Sequence, residues 1–326
     1  MRFYALTCCL FACWTLGCAS GSYQYGQGWR SRTSNLAKST DSTDHGAVVV
    51  EAGQPRPIID GVGWVLGIPS KLILWDRRVD NHNVSPATQA AIVEYLDQND
   101  LQDVCVRVNQ YAPLEEWKRL RENRQVSAGW RYTAGLLSLA GYTVLPGRLF
   151  GGDRYNPYTN SVYVYSDIPA LAMVGGGYAK DIHNREYPGT YAVVNELPVV
   201  SMWHETIATN DVLSYLQQQE SLSELQAGYK ILHPYYGSQV GGAAQNLIGV
   251  GPVFQVAGAV VGHVTGRAEG DRIAKLSEQS AAEAAQQARK GQPESKTLTA
   301  SKPATESTAA EESPIVRTAA EAVDSE

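Results

Sequence analysis

The chain has 326 residues, a formal net charge of −6 and an apolar fraction of 44%, enough for one large domain or two modest ones. Its mild acidity excludes the basic face that nucleic-acid binding needs, so no nucleic-acid partner is expected. Of its five cysteines, only Cys105 lies outside the first eighteen residues, which excludes an internal disulfide framework.

The amino terminus has the plan of a secretion signal: Arg2, an apolar run from Phe3 to Leu16, then small residues. Thr15-Leu16-Gly17-Cys18 resembles a bacterial lipobox, in which Cys18 is lipidated and becomes the first residue; Leu10-Phe11-Ala12-Cys13 matches it less well. An uncleaved anchor and an ordinary secretory signal are the alternatives. The run is shorter than the ~20 residues of a spanning helix, so residues 1–18 are read as a lipoprotein signal. The expectation is a lipid-anchored protein of the bacterial cell envelope, facing an extracytoplasmic space.

Residues 19–52 are rich in Ser, Gly, Thr, Gln and Asn and read as a flexible linker. Ordered sequence is expected from residue 53, near Pro57-Ile-Ile-Asp60, and Ile68–Trp75 forms a strand or a short helix. Ser85 and Pro86 mark a helix start, with Ala90, Ile92, Val93 and Leu96 as its apolar stripe, ending near Asn99. Asp103–Asn109 alternates as a half-buried strand, with Val104, Val106 and Val108 on one face. Pro113–Leu120 opens another helix with acids in its first turn. A strand containing Tyr163 and two further helices complete an α+β domain over 53–230, built on a small sheet.

From Ile231 to Gly266 there is no Asp, Glu, Lys or Arg. Within it Gly258, Gly262 and Gly266 recur at four-residue spacing, a pattern that lets another helix approach closely. This segment reads either as part of the soluble core or as a membrane-associated, oligomerising helix; Asn246, Pro252, Gln255 and His263 weaken a membrane-spanning reading. Residues 267–326 turn to Ala, Glu, Gln, Ser, Lys and Thr. Ile273 and Leu276 support a short helix and 281–288 has high helical propensity, but the tail is largely disordered, entirely so after Gly291.

One order of motifs stands out. Gly151-Gly-Asp-Arg-Tyr-Asn-Pro-Tyr-Thr-Asn160 leads into the strand-like Ser161–Tyr165, the segment Pro169–Asp181 follows, and Trp203–Leu213 carries His204-Glu205. With Gly129–Thr133 and Leu145–Arg148, this order resembles the zincin metallopeptidases over roughly residues 61–216: an edge strand, an H-E-x-x-H helix, then a helix with a glutamate ligand. In such a site two histidines hold Zn²⁺ and the glutamate serves as general base. By this resemblance the first ligand position is Val174, the base position Gly175 and the second ligand position Tyr178. Catalysis by the usual route is therefore not expected, nor is a metal or other cofactor. The resemblance implies that Glu205 occupies the third ligand position and Asp211 a supporting one; a solvated helical face is the competing reading of both.

Gly175-Gly176-Gly177 works against a helix, at about 1 kcal/mol per residue relative to alanine. Pro169 and the spacing of Ala170, Leu171, Val174 and Tyr178 favour one. A phosphate-loop reading of Gly175–Lys180 fails on spacing. The tyrosines at 142, 155, 158, 163 and 165 either line a peptide groove or pack across strands. The expectation is an envelope-anchored lipoprotein with a degenerate zincin-like domain that binds or scaffolds an envelope protein or peptide. One alternative is a zinc-dependent hydrolase using His183, His204 and Glu205; another is a membrane-associated oligomer formed through the Gly258, Gly262 and Gly266 face.

Overall fold

Three valine-rich strands run parallel: β1 (Val49–Ala52), β2 (Cys105–Val108) and β4 (Ser161–Val164). The short β3 (Arg154–Asn156) pairs antiparallel with β4 and closes the order β1-β2-β4-β3 as an edge. The computed structural model describes residues 23–25, 48–150, 152–219, 221–248 and 252–291. The signal-like stretch with Cys18, most of the 19–52 linker and the tail beyond Gly291 lie outside the described residues.

Helices cover both faces of this small mixed sheet. They are α1 (Pro57–Leu66), α2 (Ile68–Leu74), α3 (Pro86–Gln98) and α4 (Pro113–Glu122). Next comes α5, an α turn (Ala128–Trp130), a π turn (Arg131–Gly135) and an α segment (Leu136–Val144), followed by α6 (Gly147–Phe150). Then follow α7 (Pro169–His183), α8 (Pro188–Val194), α9 (Pro198–Gln218), α10 (Leu222–Ile248) and α11 (Val253–Gly291). The fold is α+β, as the alternation of helical and strand patterns implied.

Strand alternation divides the core. Val106, Val108, Val162 and Val164 point to one side, where they pack with Ile92 and Leu96 of α3 and with α7 and α9. Tyr163 and Tyr165 point to the other, against Leu120, Leu139 and Tyr142. On that second side, Glu51, Arg107 and Tyr163 stand in register across three strands. Glu116 of α4 closes the row, ion-paired to Arg107 and accepting hydrogen bonds from Tyr163 and Ser161. Arg107 and Glu116 are wholly buried, which is tolerable only because each is charge-paired and hydrogen-bonded.

The central element is α7, in which every residue from Ala170 to His183 is buried. Its three glycines are the reason it fits. A Cβ at Gly175 would stand 2.7 Å from Val162 Cγ1, one at Gly176 2.7 Å from the Tyr95 ring, and one at Gly177 3.0 Å from the Ala208 carbonyl oxygen. Each glycine thus meets a different neighbour: β4, α3 and α9. Burial on all sides offsets their poor helical propensity.

Several sequence expectations need correcting. Ordered structure does not wait for residue 53: β1 lies inside the supposed linker, and Tyr23 is buried against Tyr215. Of the two readings of Ile68–Trp75, strand or short helix, the helix is the one formed, over Ile68–Leu74. Of the two readings of 231–266, the one as part of the core is the one formed: α10 runs through residue 230 and α11 packs antiparallel on it. Gly258, Gly262 and Gly266 face Gly237, the His233–Pro234 backbone and Tyr229 respectively, so the glycine face is used inside the chain and is not open to a second copy. The short helix expected around Ile273 and Leu276 is part of a longer one that runs through Arg267–Gly291, so this part of the tail is more helical than expected. Its last turns, from Ala281, belong to a second compact unit. Among the described residues no single helix is long and apolar enough to cross a membrane.

Candidate functional site

The free edge of the sheet and the buried helix meet at a cavity of about 470 Å³. Arg154, Tyr155 and Asn156 of β3 form one wall, Tyr142 of α5 and Asn195 beyond α8 flank it, and Tyr178, His204 and Glu205 close its inner end. Tyr178 is on α7; His204 and Glu205 are on α9, which packs along α7 where Gly177 meets Ala208.

At that inner end the polar groups are tightly arranged. Tyr178 Oη donates to Glu205 Oε2 at 2.5 Å and lies 2.8 Å from the Tyr235 hydroxyl of α10. Withdrawal from water raises the Glu205 carboxyl to about 7, against a smaller opposing effect of the Tyr178 hydrogen bond. The same burial, reinforced by the neighbouring carboxylate, pushes the Tyr178 phenol well above its ordinary value. Tyr178 therefore stays a donor.

His204 is fixed from behind. Its Nδ1 lies 2.6 Å from Asp181 Oδ2, and the buried Asp181 also accepts from Tyr191 and Arg185. Asp181 thereby fixes the orientation of the ring, with Nδ1 turned to the carboxylate. The imidazole stacks on Tyr178, centroids 4.8 Å apart. Asp181 and Tyr178, three residues apart on α7, thus both engage residues of α9. Sequence reasoning assigned no role to Asp181 or Tyr191; the i, i+3 spacing from Tyr178 was the available signal.

The other predicted positions go elsewhere. Val174 and Gly175 border a second, smaller cavity of about 140 Å³, shared with Tyr178, Tyr235, Asp80 and Asp153. Neither side chain offers a donor atom. Asp211 is tied to Lys180 at 2.6 Å and to Tyr95, so it does not support Glu205. His183 contacts Asn160 and Tyr155, at 3.1 and 3.3 Å, and does not join His204 and Glu205. Among the described residues no three of His, Cys, Asp and Glu converge as a metal site. His183, His204 and Glu205, the three residues of the zinc-dependent alternative, are not brought together in this arrangement.

No protein-family model, curated protein or solved structure matches the chain.

Proposed function

We propose that this cavity is a metal-free binding cleft on a zincin-like framework, and that the protein serves at the bacterial envelope as a lipid-anchored binding or scaffolding protein. The observation that carries the reading is the hydrogen bond from Tyr178 to Glu205. By the resemblance to zincins these are two of the three ligand positions, and here they hydrogen-bond to each other. The favoured occupant is an extended polypeptide segment. β3 is an edge strand beside the cavity, and an edge can accept an added strand through main-chain hydrogen bonds. Metal analysis of the purified full chain, with photo-crosslinking from position 154 in the native envelope, tests the reading. Substoichiometric zinc and a discrete adduct, absent when the crosslinker sits at position 118, are expected. Stoichiometric zinc that is lost on Glu205→Ala would overturn it.

The Asp181–His204 pair favours a second reading, in which His204 acts as a general base on water without a metal. A carboxylate-oriented imidazole beside a cavity is the arrangement such chemistry uses. His204→Gln would then abolish turnover of an ester or peptide probe while leaving the fold intact; turnover undiminished by that change would dismiss it.

A further inference from the structure

Between Pro57 and Trp75 the chain turns its charges inward and its apolar side chains outward. α1 and α2 bend by 51° at their junction, and the body meets α1 at Gly63, where a Cβ would lie 2.6 Å from the Arg148 carbonyl oxygen and from His82. The stretch holds two charged residues, Asp60 and Lys71, and both are withdrawn. Asp60 pairs with Arg148 at 2.5 Å. Lys71 is buried and donates to the carbonyl oxygens of Trp64 and Asp80, at 3.1 and 3.0 Å. Meanwhile Ile58 is 84% exposed, Leu72 68% and Trp75 59%, with Val62, Trp64, Val65 and Leu66 also exposed. So many exposed apolar side chains on two successive helices mark a surface that is covered in use.

The chemistry of the patch selects its partner. Length and composition of the bent pair match those of a broken membrane span, yet one side is pinned to the body, so it can lie in an interface but not cross one. Trp64 and Trp75, near the ends of the two helices, are the side chains that sit at headgroup level. Trp75 is held there by His263, stacked at 4.0 Å, and by Arg267 over its ring. Arg56 and Arg77, both exposed, flank the pair at either end, where anionic headgroups would lie.

We propose that α1 and α2 form a membrane-docking face, which sinks Ile58, Val62, Trp64, Leu72 and Trp75 shallowly into an anionic bilayer and holds the body against it. This goes beyond the cleft and is independent of the lipid anchor.

The test uses the full chain with Cys8, Cys9, Cys13 and Cys18 changed to serine, so that no acyl chain can be attached and the remaining native thiol, Cys105, is buried. An environment-sensitive fluorophore is placed through Leu72→Cys or, as a control, Lys118→Cys on α4. Vesicles of phosphatidylglycerol and phosphatidylethanolamine carry a lipid-borne quencher. Both probes share whatever attachment the N-terminal apolar run provides, so their difference reads the docking face alone. Quenching at position 72 about fivefold stronger than at position 118 is expected, lost when Ile58→Asp and Val62→Asp remove apolar contact. Equal quenching at the two positions, or none, overturns the proposal. So does shielding of the Leu72→Cys probe that rises with protein concentration in the absence of vesicles, which would make the face a self-association surface.

Discussion

Tyr178 donates to Glu205 across 2.5 Å, and the carboxyl it serves is raised from 4.5 to about 7 by burial. The folded chain therefore holds this proton more tightly than the unfolded chain. Between about pH 4.5 and 7 unfolding releases it, so this group's contribution to stability, fully present below about pH 4.5, falls as pH rises and is lost above about 7. Asp153, raised to about 6 by burial and by Asp80, acts with the same sign. The buried His82, His183, His233 and His263, lowered by burial, act with the opposite sign. The test is therefore the difference from the parent: Glu205→Gln should remove a pH-dependent loss on the order of 2 kcal/mol, after discounting the partial solvent contact of Glu205. Thermal midpoints measured across pH 4–8 check this; an unchanged slope in the variant would refute the assignment.

Two glycine-to-alanine changes should move stability in opposite directions. Gly176→Ala gains helical propensity but drives a Cβ to 2.7 Å from the Tyr95 ring, an overpacking that costs about 1–3 kcal/mol. Gly242→Ala, in α10 with nothing within 4 Å of its added Cβ, should stabilise by up to about 1 kcal/mol. Urea unfolding of the two variants beside the parent reads both signs.

Gly262→Leu should unfold the α10–α11 pairing rather than dissociate an oligomer. The first added carbon already lies 2.3 Å from the His233 carbonyl oxygen and 2.4 Å from Pro234 Cα. Backbone cannot yield as a flexible side chain does, so a loss above about 3 kcal/mol is expected. Calorimetry alongside size-exclusion chromatography distinguishes the outcomes, since a lower mass with an unchanged melting temperature would restore the intermolecular reading.

Arg107→Met leaves the carboxylate of Glu116 buried without its cation. The expected cost is about 3–5 kcal/mol, and Arg107→Met with Glu116→Gln should recover a large part of it, because the penalty lies in the unpaired charge. A double-mutant cycle by chemical unfolding measures this; additivity of the two changes would show that the charges are not coupled.

The alternation of Val104, Val106 and Val108 announced β2, and Ser85-Pro86 announced α3, whose cap is the hydrogen bond from the Thr88 amide to Ser85 Oγ. These are short-range patterns, legible because each follows from one strand face or one helix end. α7 was harder to read. The spacing of Ala170, Leu171, Val174 and Tyr178 points to a helix, but burial on every side blurs that period, and its glycines look like a turn until Val162, Tyr95 and Ala208 are seen against them. Val49–Ala52 carries no such signal, because a four-residue edge strand after a polar stretch has no context of its own. In the cleft, Tyr178, His204 and Glu205 were legible as positions, while Asp181 behind His204 was not.

The sequence alone determined the composition of this protein's chemistry: no donor atom at 174 or 175, a phenol at 178, and a histidine and a carboxylate at 204 and 205. Only the tertiary structure decided which of these meet. It set Tyr178 against Glu205, Asp181 behind His204, Asp211 with Lys180 and the glycine face of α11 against α10. The reason is range: residue type and spacing fix what a group can do within a turn or two, whereas partners on other elements are chosen by how helices and sheet pack to bury apolar surface.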